Sequence, residues 1–206
     1  MEQFLGVPFA APPVGRLRWR GPEPPAPWVD TRDSTYFRAD CANEYYAPDL
    51  SAPTVAHDCD GTQSYDEPTL NRDEDCLYLN VWTPTAAIDE QQQLPVVVWF
   101  YGGSFNHGAT SIPLVNGAEQ VQQSIRAGHP VVSITCNYRI GALGFLAHEA
   151  LRDVDGSVGN YGLRDQTAAL NWLQRNVASF GGAILKFPQP PVFFWRLTLW
   201  PLCDSL

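Results

Sequence analysis

The stretch that decides the fold is "VVVWFYGGSFNHG", Val96 to Gly108. Residues 94–100, "LPVVVWF", form a near-continuous apolar run, the pattern of a strand buried on both faces. Glycines at the C-terminal end of such a strand let the backbone turn sharply, approach a ligand and aim N–H groups outward. Downstream, "GAEQVQQSIRAG" predicts a short helix from Ala118 to Ala127, stopped by Gly128. The next run, "HPVVSITC" at 129–136, repeats the buried-strand pattern. Strand, glycine turn, helix and strand together make a βαβ unit.

The flanks fit this unit. "CLYLNVW" (76–82) alternates and predicts a half-buried strand. Further on, "GLRDQTAALNWLQRNVASFGG" carries Leu163, Thr167, Leu170, Leu173 and Val177 at steps of three and four. That spacing gives one apolar helical stripe, with Gly181 and Gly182 as the stop. Residues 4–28 are so rich in Pro that helix and central strand are blocked, which predicts an extended segment lying over a surface. Residues 41–75 are polar and read as a long loop. The architecture expected is α/β, a sheet covered by helices.

Composition narrows the function classes. Hydrophobic content of 45% places the chain among globular proteins. A net charge of −9 argues against nucleic acid or an anionic membrane surface as partner. No run of about 18 apolar residues predicts a membrane span. "MEQFLGVPFAAPPVG" lacks a basic n-region and a continuous apolar h-region, so it does not read as a signal peptide. The five cysteines, Cys41, Cys59, Cys76, Cys136 and Cys203, contain no CxxC spacing, so no zinc site or other metal centre is expected.

At the glycine turn two readings compete. One is an ordinary tight connection between strand and helix. The other is a set of N–H donors for the oxyanion of an acyl-transfer intermediate, each worth about 3–4 kcal/mol. Ser104 does not read as a nucleophile, because G-x-S-x-G would need Gly where Asn106 stands. "DGSVG" (155–159) is a near miss to the same pattern and follows no buried strand. His57, His107, His129 and His148 read as solvated or satisfied residues.

The neighbouring blocks weigh between these readings. "FLGVPFAAPPVGRLRWRGPEP", "NRDEDCLYLNVWTP", "VWFYGGSF", "NYRIGALGFLA" and "GNYGLRDQTAALNWLQRNVASFGG" occur in that order over residues 4–182. Together they resemble the type-B carboxylesterases, the α/β-hydrolase family that includes cholinesterases, fungal lipases and neuroligins. The resemblance implies the N-terminal part of a mixed, mostly parallel α/β-hydrolase sheet, ending before the nucleophile-elbow strand. It implies a small-molecule ester as the substrate of full-length relatives, and no cofactor. It implies an oxyanion hole at Gly102, Gly103 and Ser104, with Gly102 making the turn and the N–H groups of Gly103 and Ser104 as donors. The family usually has a third Gly where Ser104 stands; the hole survives if the backbone there needs no positive φ.

The resemblance also implies a Cys41–Cys76 disulfide, worth about 4 kcal/mol in the chain-entropy model, with Cys59 as the rival partner. It maps two structural ion pairs onto Arg18 with Glu74 and Arg139 with Asp165, against the alternative of solvated charges. No Trp lies between Cys41 and Cys76, where cholinesterases carry one for the choline cation, which argues against a choline ester.

The resemblance stops at Gly182. In the family, Asp and then a strand ending in G-E-S-A-G follow, with the acid and the His much later. Here the tail 183–206, "AILKFPQPPVFFWRLTLWPLCDSL", takes that place. Residues 1–182 contain eleven Arg and no Lys, whereas the tail holds the one Lys, four Pro and no Gly. This suggests differently biased coding material, such as an unspliced intron or a frameshift. The expectation is therefore a partial domain over 1–182, an unrelated tail, and an ester-hydrolase family member that is inactive as written. The rival is a non-catalytic partner-binding relative. A full-length parent is expected to be secreted; the oligomeric state is not legible.

Overall fold

A computed structural model describes residues 1–42, 71–112 and 115–184. Most of the long loop, with His57 and Cys59, and the tail from residue 185, with Cys203, lie outside the described residues. The central sheet has four strands: β1 (Glu2–Pro8), β4 (Tyr78–Thr83), β5 (Val96–Phe100) and β6 (Val132–Cys136), in the order β1-β4-β6-β5. A second, two-stranded ribbon joins β2 (Asp40–Cys41) in parallel to β3 (Arg72–Asp73). The helices are α1 (Thr85–Asp89), α2 (Gly117–Arg126), α3 (Gly141–Phe145) and α4 (Tyr161–Asn176).

The sheet is mixed. β1 with β4 and β4 with β6 run antiparallel, while β5 with β6 runs parallel. Parallel character is thus confined to the β5 side, where it continues in a bridge between Leu94 and Gly182. The β5–α2–β6 unit is the βαβ expected from the sequence. The α2 helix starts one residue early, because the Asn116 side chain accepts a hydrogen bond from the Ala118 N–H at 2.9 Å and caps it.

The main core lies between the sheet and α4, built on Leu79, Val81, Ile134, Ala169 and Leu173. A smaller cluster on the opposite face joins Leu5, Trp82 and Val121. Strand β6 has neighbours on both edges and is buried throughout, as its run predicts.

Four expectations are corrected by position. Strand β5 is not buried on both faces: Val97 and Trp99 are 38% and 45% exposed. It pairs with β6 on one side, and its outer face is not covered by α2, which packs on β4 and β6. Strand β4 shows the reverse. It was expected half-buried, yet Leu79 to Thr83 are all buried, because β4 sits inside the sheet with core on both faces. The Pro-rich N-terminal segment supplies β1 over its first residues, tolerated because β1 is an edge strand with a register break between Phe4 and Val7. The buried face of α4 is rotated from the predicted stripe. Tyr161, Asp165, Gln166, Ala169 and Leu173 are buried, while Leu163 and Thr167 are only partly so. Leu170 and Val177 of the predicted stripe are buried as well, and the buried face extends round to Asp165, which Arg139 pairs.

Candidate active site

The chain leaves β5 at Tyr101 and makes a tight turn through Gly102, Gly103, Ser104 and Phe105. The N–H groups of both Asn106 and His107 point back to the Gly103 carbonyl, at 3.0 and 3.2 Å. Gly103 adopts φ +112, and a Cβ there would stand 2.1 Å from the His107 carbonyl oxygen. Only glycine fits this position.

Ser104 adopts φ +53 and Phe105 φ +61. The sequence reading required a backbone without positive φ at Ser104, and that condition is not met. A serine holds the conformation that a third glycine would take freely, at a cost of about 1–2 kcal/mol. Among the described residues, the N–H groups of Gly102, Gly103 and Ser104 make no hydrogen bond. Gly102 and Ser104 are exposed and Gly103 is partly so, which leaves these donors available to a ligand.

Both limbs of the turn are braced. On the departing limb, Tyr101 and Tyr138 stack at 4.5 Å between ring centroids. Each hydroxyl donates to the other residue's carbonyl: Tyr138 to Tyr101 at 2.8 Å, and Tyr101 to Tyr138. Burial pushes the Tyr101 hydroxyl pKa well above its ordinary value and that of Tyr138 to about 12, so both stay protonated donors. The tip is tied down where the Gly141 N–H donates to the Phe105 carbonyl at 2.6 Å.

On the returning limb, the Asp40 carboxylate accepts from the Thr110 N–H at 3.0 Å and from the Ser111 hydroxyl. The Thr110 hydroxyl donates to Asn137 Oδ1 at 2.9 Å and accepts from Asn80 Nδ2 at 3.2 Å. Burial raises the Asp40 pKa, and the donors at Ser111 and Thr110 oppose the rise. None of this network was anticipated from the sequence. Its bonded partners stand 27 to 71 residues apart, and the available signal was only a set of polar residues inside or beside strand-like runs.

The structure brings together three further pairs named from the sequence. Cys41 and Cys76 form a disulfide, with Cα atoms 4.9 Å apart. Arg18 grips Glu74 through two bonds, Nε to Oε2 at 2.6 Å and Nη2 to Oε1 at 2.5 Å, in a partly exposed setting. Arg139 and Asp165 are buried: Nε and Nη2 each reach a carboxylate oxygen at 2.7 Å, and the Arg139 N–H adds a third bond at 3.0 Å. Complete burial raises the Asp165 pKa, and the three Arg139 donors oppose that rise. Arg139 Nη2 also donates to the Arg20 carbonyl at 2.9 Å, so the pair joins α4, the loop after β6 and the N-terminal segment.

The remaining candidates lie apart from the turn's chemistry. Ser157 of "DGSVG" donates to Asp155 in a surface loop. His129 and His148 are exposed, and His148 Nδ1 accepts from the Ala150 N–H. His107 lies in the turn and contributes its backbone to it. Among the described residues, no cluster of three metal-ligating side chains occurs, and no helix is long and apolar enough to cross a membrane.

Residues 1–184 match the sequence pattern of the carboxylesterase family. The chain belongs to the carboxylesterase family. It is 44% identical over 184 residues to the fumonisin B1 esterase of Sphingopyxis macrogoltabida, covering 88% of this chain and 30% of that protein. It is 40% identical over 179 residues to the cholinesterase of Mus musculus, covering 87% and 26%. Among solved structures it matches a PNB esterase with a TM-score of 0.67 and 35% identity, covering 87% of this chain and 32% of that one. The described fold is thus the N-terminal part of an α/β-hydrolase. The chain spans under a third of the length of these relatives.

Proposed function

We propose that this carboxylesterase chain contributes the oxyanion-binding part of a serine ester hydrolase acting on small-molecule esters. The observation that carries the reading is the turn after β5, where the Gly103 and Ser104 N–H groups are braced from both sides and make no hydrogen bond among the described residues. Such donors stabilise the negative oxygen of a tetrahedral intermediate. Gly102 makes the turn. The Arg18–Glu74 and Arg139–Asp165 pairs hold the N-terminal segment and α4 in place and take no part in the chemistry.

Donors alone polarise a carbonyl but form no acyl-enzyme, which needs a nucleophile and its base. No residue of these 206 occupies the family position of the nucleophile, the acid or the base. The 206-residue chain by itself is therefore proposed to be inactive. Residues 183–206 are proposed to stem from an intron or a frameshift, supported by their Lys, Pro and Gly usage. Two experiments test this. Purified chain is expected to hydrolyse p-nitrophenyl butyrate no faster than buffer; a saturable rate would overturn the inactivity. The transcript past the Gly182 codon is expected to show a splice donor, with Asp and G-E-S-A-G encoded beyond it. An unbroken transcript ending at the Leu206 codon would remove the intron reading.

A further inference from the structure

We propose that Asp40 is a positioning residue for the glycine turn, holding its returning limb while the Tyr101–Tyr138 stack holds the departing one. That the turn receives an oxyanion rests on the reading above; that Asp40 fixes its geometry does not.

Asp40 is 1% exposed. A buried carboxylate is costly unless it is well hydrogen-bonded. Its two oxygens bond consecutive residues of the returning limb, the Thr110 N–H at 3.0 Å and the Ser111 hydroxyl. Those residues follow directly on the turn, since Gly108 and Ala109 link His107 to Thr110. Asp40 is itself immobilised. Its N–H donates to the Asn71 carbonyl at 2.9 Å, it pairs with Arg72 in the β2–β3 ribbon, and the next residue is the disulfide-bonded Cys41. The carboxylate thus transmits a covalently anchored frame to the limb that carries the turn back into the protein. Thr110 is then locked sideways by Asn137 and Asn80, so the limb can move neither along nor across the sheet without breaking charge-assisted or buried bonds.

The test is site-resolved amide hydrogen exchange on the 206-residue chain, comparing wild type with Asp40→Ala, Asp40→Asn and Ser111→Ala. No substrate enters it, so it can fail while the ester-hydrolase reading stands, and the reverse. In Asp40→Ala, the hydrogen-bonded amides of the turn and its returning limb, Asn106, His107 and Thr110, are expected to exchange at least about tenfold faster, matching the loss of a hydrogen bond to a charged acceptor. Amides of α4 and β6 are expected to be unchanged. Asp40→Asn keeps an acceptor for Thr110 and is expected to restore most of the protection and the wild-type amide shifts of Gly103 and Ser104. Acceleration spread equally over α4 and β6 would mean a general packing role and overturn the proposal, as would no acceleration anywhere. If Asp40→Ala does not fold, Ser111→Ala decides: a local acceleration of about threefold supports the proposal, and unchanged exchange refutes it.

Discussion

Replacing Gly103 with alanine attacks the turn at its tightest point. The residue holds φ +112, and the new Cβ would stand 2.1 Å from the His107 carbonyl oxygen and 2.9 Å from His107 Cδ2. Carbonyl and backbone cannot yield as a flexible side chain would, so the turn must open. Opening breaks the bonds from the Asn106 and His107 N–H groups to the Gly103 carbonyl, at about 1 kcal/mol each. Any remaining positive φ adds about 1–2 kcal/mol of strain. The expected loss is roughly 3 kcal/mol, or about 6–12 °C in Tm for a chain of this size. Ser104→Gly supplies an internal contrast. It removes about 1–2 kcal/mol of strain at φ +53 and costs about 0.4–1 kcal/mol through the unfolded chain. Its net effect is therefore between neutral and a stabilisation of about 1.6 kcal/mol. Urea titrations with m held constant measure both, and exchange at Asn106 and His107 reports the site. If Gly103→Ala lies within about 0.5 kcal/mol of wild type, the surface-like value for an unremarkable site, the reasoning is wrong. It is equally wrong if the two substitutions shift stability in the same direction by the same amount.

Three further outcomes follow from the geometry. Arg139→Ala strands the buried Asp165 carboxylate and is expected to cost about 3–5 kcal/mol, whereas Arg18→Ala at the partly exposed pair is expected to move the midpoint far less; urea midpoints of the two variants make the comparison. Replacing both Cys41 and Cys76 with serine is expected to lower stability by about 4 kcal/mol, checked by thermal melts of the variant beside oxidised and reduced wild type. Tyr78 and Tyr138 both have pKa values raised from 10.0 to about 12, Tyr78 by burial and its bond to Asp75, Tyr138 by burial. Raised folded values stabilise the protein below pH 10 and lose that contribution as pH climbs through 12, so Tm is expected to fall steadily across this window while tyrosinate absorbance lags the unfolded chain.

Legibility in the sequence followed the range of the physics involved. The turn was readable because Gly102 and Gly103 follow directly on an apolar run, and α2 because Gly128 stops it locally, although the Asn116 cap that sets its start was not read. The family was readable because its motifs are short and ordered. Long-range polar satisfaction was not. Asp40 shows no local pattern; its importance arises because β2, the returning limb and β6 converge on one buried spot. The α4 stripe was legible only in part, with Leu170, Leu173 and Val177 buried and Leu163 and Thr167 only partly so, for a related reason. Periodicity counts apolar residues, and Leu163 fits the count, but the buried face is claimed by Asp165 once Arg139 reaches it with three bonds. A charged residue that is fully paired can hold a core position that apolar periodicity does not mark.

The two Val-rich runs make the remaining argument. "VVVWF" and "VSITC" have comparable strand character, yet one ends half exposed and the other wholly buried. Burial is conferred by neighbours, and among the described residues β6 has β4 and β5 beside it where β5 has β6 alone. The backbone shows which side is open. Pro95 turns its carbonyl to the Val132 N–H, toward β6, while Leu94 turns both its groups the other way, donating to Gly181 and accepting from Ala183 at 2.9 and 2.7 Å. Alternation then aims the backbone groups of Val96, Val98 and Phe100 at the same side as those of Leu94. Chain leaving α4 has therefore already begun a parallel pairing at the foot of that edge, in the direction a further strand would run. Beside it, Val97 and Trp99 stand exposed on an edge strand, the combination that favours association with other chains. The glycine turn crowns this same strand, so the placement of its N–H groups depends on an element that, among the described residues, is braced by β6 on one side and met at its foot by Gly182 on the other.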